Sequence, residues 1–321
     1  MMLWTLAKKL AVAVVAVMMT AVTVTPLAAE TAPVCGAARE ECVQKPVFAP
    51  YFESYKATDL ARVPAKAVTL AFLLGNSKKE LSWDGTMPLA EWQARALKSG
   101  KTIVLSFGGA AGAELAHTLR NPAKLAAAYA GAAGMYKSKR LDFDIEGAGV
   151  ADLKTVQVRN RALALLPALV PGVKLQYTLP VMPFGLDAAC LALLQDAKTR
   201  GVRLDAVNLM VMDFGGSFTG DMGSYAIQAA KAVRAQLGGL GMGDVGVGLT
   251  PMIGQNDVAG EVFTLEDARQ LGKFAASTPW VKFVGFWAVG RDNGRKSWLG
   301  DSSMIAQKDY EFTKTFAKAL E

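Results

Sequence analysis

Three carboxyl side chains occupy alternate positions in the segment Leu141-Asp142-Phe143-Asp144-Ile145-Glu146. As an extended strand, the segment puts Leu141, Phe143 and Ile145 on one face and Asp142, Asp144 and Glu146 on the other. Three acids on one face lie too close for all to ionise comfortably, so at least one holds a proton near neutral pH. A protonated carboxyl beside ionised ones is equipment for general acid and base chemistry. A fold-stabilising network with buried Arg or Lys is the plain alternative, and three acids in strict alternation speak against it. A metal site is another alternative. Oxygen ligands suit magnesium or calcium, but acids spread along one strand converge poorly on a single ion.

Other chemistries find little footing. The chain holds one histidine, His117, and no CxxC pair, which excludes a zinc site built on histidines. No Gly-x-Ser-x-Gly elbow precedes a helix, so Ser-His-Asp hydrolysis lacks its nucleophile, and His117 reads as a helix or loop hydrogen-bond partner. No cofactor motif is present.

The acids need a frame, and the periodicity supplies one. Strands are predicted over Val47–Phe52, Val68–Leu74, Thr102–Phe107, Leu141–Glu146, Lys174–Pro180, Ala206–Met212, Val245–Thr250 and Phe283–Ala288. Helices are predicted between them over Leu89–Ser99, Pro122–Tyr136, Thr155–Leu169, Leu186–Arg200, Tyr225–Leu237 and Leu265–Ser277, with a last one over Asp309–Leu320. Strands alternating with helices through eight repeats predict an α/β fold of the (β/α)8 TIM-barrel type, one domain spanning residues 46–321. A doubly wound sheet would carry a Gly-rich turn after its first strand, where this chain has Tyr51-Phe52-Glu53-Ser54. Active sites of such barrels lie at the carboxyl ends of the strands, where Ser106-Phe107-Gly108-Gly109, Glu146-Gly147, Asp213-Phe214-Gly215-Gly216 and Arg291-Asp292-Asn293 fall.

The acidic strand resembles the DxxDxDxE signature of the family 18 chitinases. Ser106-Phe107-Gly108-Gly109, Tyr177-Thr178-Leu179-Pro180-Val181, Val207–Asp213, Thr250–Asp257 and Phe286-Trp287 resemble the family's third, fifth, sixth, seventh and eighth strands, in order. The resemblance is to the bacterial and archaeal branch whose sixth strand reads Met-Asp-Tyr-Gly. It implies a retaining, endo-acting hydrolase of β-1,4-linked N-acetylglucosamine polymers, in which the substrate's own acetamido group is the nucleophile. Glu146 would be the general acid and base, Asp144 would orient the acetamide, and Asp142 would share a proton with Asp144. Asp213, Trp287, Met210, Met212, Tyr177, Tyr51, Ser106 and Gln255 would bind substrate, Trp287 as the floor beneath the sugar. The expected partner is chitin or an N-acetylglucosamine oligosaccharide, with no cofactor and no metal. Related possibilities are a sugar-binding protein of the same fold, or a hydrolase of another acetamido-sugar glycan.

The match has gaps. The signature's first acid falls at Lys139 and its glycine at Arg140, a basic pair that could instead pair with Asp142. The tyrosine before the sixth-strand acid is Met212 and the one after it is Phe214, so no hydroxyl stands there. Losing one oriented donor costs about 2.7–4 kcal/mol in rate. Further aromatics that could line a cleft are Trp83, Phe184 and Trp298.

The N-terminus reads as an export signal over residues 1–29: Lys8 and Lys9, an apolar run from Leu10 to about Val24, then Pro26-Leu27-Ala28-Ala29. An extension follows to residue 45, in which Cys35 and Cys42 could form a local disulfide. Cys190 lies in an apolar helical stretch and reads as a buried small residue. Losing Lys8 and Lys9 takes the formal charge from +7 to +5, and no basic, aromatic-interleaved run suggests a nucleic-acid surface. The expected product is a secreted monomer, extracellular or periplasmic, without a membrane span once the signal is removed.

Overall fold

The structure, a computed structural model, describes residues 45–55 and 59–321. The expected export signal and the Cys35–Cys42 pair lie outside the described residues. The strands are β1 (Val47–Phe48), β2 (Tyr51–Glu53), β3 (Ala67–Gly75), β4 (Leu81–Trp83), β5 (Met87–Pro88), β6 (Thr102–Gly108), β7 (Arg140–Asp144), β8 (Lys174–Pro180), β9 (Leu204–Met210), β10 (Gly246–Thr250), β11 (Gly254–Gln255), β12 (Val262–Phe263) and β13 (Val281–Val284). The helices are α1 (Gln93–Lys98), α2 (Pro122–Tyr136), α3 (Ala148–Ala151), α4 (Leu153–Leu169), α5 (Ala188–Thr199), α6 (Met222–Gly239), α7 (Leu265–Ala276) and α8 (Glu311–Ala319).

β1 and β2 are two halves of one barrel strand. β1 pairs in parallel with β13, and β2 pairs in parallel with β3. Between them the amides of Ala49 and Tyr51 donate to Val284 and Phe286, while the Pro50 carbonyl accepts from Thr69. Pro50 has no N–H to give, and the pleat asks none of it. From β3 the ring runs through β6, β7, β8, β9 and β10 to β13, parallel throughout. The chain therefore folds as the expected (β/α)8 barrel.

Register fixes which side chains share a layer inside the barrel. Ser106, Asp142 and Gln176 are aligned partners, and the next layer holds Gly108, Asp144, Thr178 and Asn208. The opposite faces of the same strands are apolar. Phe107 and Phe143 stack with centroids 5.1 Å apart, and Tyr129 of α2 meets both edge-on. The helices start on side-chain caps, with Asn121 at α2, Asp187 at α5, Asp221 at α6 and a Thr264–Asp267 capping box at α7.

Several boundaries differ from expectation. β7 ends at Asp144, so Glu146 stands just beyond its strand, although the Ile145 amide still bonds to Thr178. β9 begins and ends earlier than expected, leaving Val211 and Met212 on the loop. β13 ends at Val284, well before Trp287. The first predicted helix opens as a 3-10 turn over Leu89–Trp92 before α1. Unforeseen are the antiparallel extension of β3 by β4 and β5 and the small β11–β12 pair. Among the described residues, no helix is long and apolar enough to cross a membrane.

Candidate active site

The barrel mouth holds a cavity of about 250 Å³ between the ends of β2, β3, β7, β8, β9 and β10. Asp144, Glu146, Tyr51, Met210, Met212, Asp213 and Trp287 all line it. Thus seven of the eleven residues expected at the site meet in one place.

Asp142 lies one layer below. It is fully buried and receives four hydrogen bonds. Ser106 Oγ and Tyr51 OH donate to Oδ2 at 2.6 and 2.9 Å, and Thr178 Oγ1 and Gln176 Nε2 donate to Oδ1 at 2.5 and 3.0 Å. Burial pushes its carboxyl above the ordinary range, while these donors favour the ionised form. Ser106 is therefore a partner of Asp142 in the layer beneath the cavity.

Asp144 is 5% exposed, and its Oδ1 has no hydrogen-bond partner. Burial, followed by the charges of Glu146 and Asp142, holds its carboxyl well above the ordinary range. Burial also raises Glu146, opposed by a hydrogen bond from Asp144 and aided by the charge of Asp213. Burial thus raises the proton affinity of both carboxyls at the upper end of the column. The close approach of β6 makes this packing possible. A Cβ on Gly108 would stand 2.1 Å from the Asp144 carbonyl oxygen, and Gly108 has φ +106°.

Aromatic rings form one wall. Trp287 stacks on Phe72 with centroids 5.6 Å apart at 17°, and Tyr51 meets both at a tilt. Met210, Met212 and Met252 face the cavity as well. Phe72, Thr178, Thr250, Met252 and Asp257 were not foreseen. For Thr178 a signal existed: on a strand whose register sets it beside Asp144, it must share the inward face.

Asp213 sits in a left-handed turn, φ +51°, after β9. Its Oδ1 accepts from the Val258 amide at 2.9 Å, and its own amide donates to Asn256 Oδ1 at 3.4 Å. Glu261, fully buried, accepts from the amides of Phe214 and Gly215 at 3.1 and 2.6 Å. The segment around β11 and β12 thus clamps the turn.

Two expected residues stand elsewhere. Tyr177 is partnered in register with Phe143, so it faces outward beneath the helices, where its hydroxyl donates to Asn160 at 2.5 Å. Gln255 is drawn into the β11–β12 pair, its amide donating to Ser303 and its carbonyl accepting from Arg291, and it does not line the cavity. Trp83 and Phe214 are buried in apolar packing, whereas Phe184 and Trp298 are exposed. Phe214 packs on Phe218 and Tyr225, so among the two hydroxyl-lacking positions only Met212 touches the cavity. The basic pair does not contact Asp142 directly: Lys139 donates to the Pro171 carbonyl, and Arg140 pairs with Asp205. His117 lies 3.7 Å from Asp152, and Cys190 is buried and free.

No protein-family model matches the chain. A "probable bifunctional chitinase/lysozyme" of Escherichia coli (strain K12) is 34% identical over 279 residues, covering 77% of this chain and 31% of that protein. The chain therefore spans about a third of this relative's length. The crystal structure of the catalytic domain of a hyperthermophilic chitinase from Pyrococcus furiosus is 30% identical, with a TM-score of 0.76, over 87% of this chain and 96% of that one. A family 18 chitinase from Pseudoalteromonas aurantia shares the fold at 17% identity and a TM-score of 0.57. On the match to nearly the whole of the Pyrococcus domain, the chain belongs to the family 18 chitinases.

Proposed function

We propose that the protein cleaves β-1,4-linked N-acetylglucosamine chains internally, with retention, using the substrate's acetamido group as nucleophile. The carrying observation is Asp144: a buried carboxyl whose Oδ1 lacks a partner, set beside Glu146 and above the Trp287–Phe72 wall. An acetamide N–H placed there would satisfy that oxygen, and its carbonyl would then turn toward the anomeric carbon. Glu146 gives its proton to the glycosidic oxygen as the C–O bond breaks, and the acetamido oxygen closes on the anomeric carbon to form an oxazolinium ion. The Glu146 carboxylate then takes a proton from water as that water adds to the same carbon and the bond from that carbon to the acetamido oxygen breaks, which restores both the acid and the acetamido group. Another structure of the Pyrococcus chitinase, of catalytic-site mutants, is described as complexed with chito-oligosaccharides, in keeping with this substrate class.

The test is product analysis on chito-oligosaccharides, with the anomer of the first product recorded. The parent is expected to release the retained anomer. Glu146→Gln should lose about 10²–10⁴-fold in kcat, the usual contribution of a positioned acid, while still binding the oligosaccharide. Inverted product or an unimpaired Glu146→Gln variant would sink the mechanism. Binding without turnover by the parent would favour a sugar-binding role. We also propose that the protein is exported, with residues 1–29 as the signal. The mass of the chain recovered outside the cytoplasm tests this, and recovery of uncleaved chain in the cytoplasm alone would refute it.

A further inference from the structure

Below the catalytic column the barrel holds a cation that the chemistry above does not use. Arg140 opens β7 on the same inward face as Asp142 and Asp144, with its side chain 12% exposed. Its Nη1 lies 2.7 Å from Asp205 Oδ2 and 3.1 Å from Gln176 Oε1. Lys174 Nζ reaches the other Asp205 oxygen at 3.1 Å. Two cations thus share one carboxylate at the foot of the barrel, and the three groups together carry one net positive charge.

The amide of Gln176 carries this polarity upward. A guanidinium has five donors and no acceptor, so the end of the amide facing Arg140 must be the oxygen. The other end is then the NH₂ group, 3.0 Å from Asp142 Oδ1. Without Arg140 the amide could turn over and present its oxygen to Asp142. With Arg140 in place, it is bound to donate. The same Oδ1 also receives Thr178 Oγ1, and Oδ2 receives Ser106 and Tyr51. Four donors surround a carboxylate whose proton could otherwise sit on any of these oxygens.

We infer that Arg140 is a positioning residue that, through Gln176, keeps Asp142 the ionised member of the column and leaves the shared proton on Asp144. The inference rests on the functional reading above. The charged and titratable groups around Asp142 are few: Tyr51 from β2, Asp144 on its own strand, Glu146 and Asp213 at the mouth, and Arg140, Lys174 and Asp205 at the foot. The remaining contacts, Ser106 from β6 and Gln176 and Thr178 from β8, are neutral. Arg140 is the cation joined to Asp142 by an unbroken pair of hydrogen bonds.

The experiment is a pH titration of the aspartate carboxyl carbons by NMR, on protein labelled at aspartate, without substrate. The parent, Arg140→Met, Gln176→Leu and the double variant are compared. The Asp142–Asp144 pair titrates in two macroscopic steps. In Arg140→Met the lower step is expected to move up by about half a pH unit or more, since an acceptor that loses an enforced donor holds its proton more readily. Gln176→Leu should move it at least as far, and the double variant no further than Gln176→Leu alone. An unmoved step in Arg140→Met overturns the proposal. So does a shift that persists in full on the Gln176→Leu background, because Arg140 would then act by some route other than the amide. Should Arg140→Met fail to fold, Arg140→Gln carries the test. It keeps a hydrogen-bonding partner for Asp205 and Gln176 but, able to accept as well as donate, no longer fixes the amide, and must raise the step; an unmoved step overturns the relay. In active protein the acid limb of kcat should move with the titrating step. A parent that turns over no chito-oligosaccharide would sink the functional reading, while the NMR titration would still decide the relay.

Discussion

At Asp144 the requirements of folding and of chemistry oppose each other. The carboxyl is nearly buried between two other acids, and one of its oxygens has no partner. Its proton affinity is raised in the folded chain relative to the unfolded one. The folded state therefore holds a proton that the unfolded chain has already released. Below the ordinary aspartate range both states hold the proton and burial of the acid costs nothing on this account; the cost grows as pH rises from there toward the raised folded value. Asp144→Asn replaces the group with a neutral one of equal size. The variant should lose turnover and gain thermal stability, by about 2–4 °C in Tm for each kcal/mol recovered in a chain of this class. Calorimetry at about pH 5 and about pH 8 reads the sign. The gain over the parent must widen toward the higher pH, where the parent's buried acid is most costly. A gap that narrows with rising pH would show that the column is charged and satisfied in the resting protein.

At the scale of the element, the segment from Met252 to Phe263 does work that its sequence does not announce. Glu261 takes two backbone amides of the Asp213 turn, 47 and 46 residues away in the chain. Asn256 and the Val258 amide hold Asp213 from the same side. Glu261→Ala leaves both amides of Phe214 and Gly215 without an acceptor. It should cost about 1–3 kcal/mol per buried group left unpaired, and it should lower kcat as Asp213 drifts from Glu146. Urea unfolding and steady-state kinetics would check both, and a variant with parental stability and kcat would remove the clamp from the account. Such bonds join a side chain to distant main-chain groups, so no spacing or periodicity reports them. The same limit hid β11 and β12, strands of two residues each. The acidic strand was legible because the pleat alone sorts its faces. Tyr177 was expected at the mouth, against the same count. It shares its parity with the outward Leu175 and Leu179, so a strict reading of the pleat turns it from the mouth. The aromatic Trp287–Phe72 wall joins the ends of the second and last barrel strands, and only closure of the ring brings those together.

At the scale of the whole molecule, that closure is where the barrel depends on the C-terminal helix. The seam lies between β1 and β13, where Val47 pairs with Phe283 and Phe48 with Val284. These are short contacts for a join that completes the ring. α8 lies across it. Phe316 packs its ring on Phe286 at 5.9 Å and 18°, on Phe48 at 5.8 Å and on Phe263 at 6.3 Å. The helix is anchored by Asp292, which accepts from the amides of Phe312 and Thr313 at 3.0 and 2.8 Å and from the Thr313 hydroxyl at 2.7 Å. Phe286 immediately precedes Trp287, so the packing that closes the ring also supports the aromatic wall of the cavity. Phe316→Ala would leave a void among three aromatic rings, and truncations of this kind cost about 3–5 kcal/mol. The variant should unfold at lower denaturant concentration, with kcat near the parent's at temperatures where it stays folded, because Phe316 does not line the cavity. Phe184→Ala is the control. That ring is 74% exposed, and its loss should leave the midpoint where it was. Equal midpoints for Phe316→Ala and Phe184→Ala would mean that the paired strands close the seam on their own.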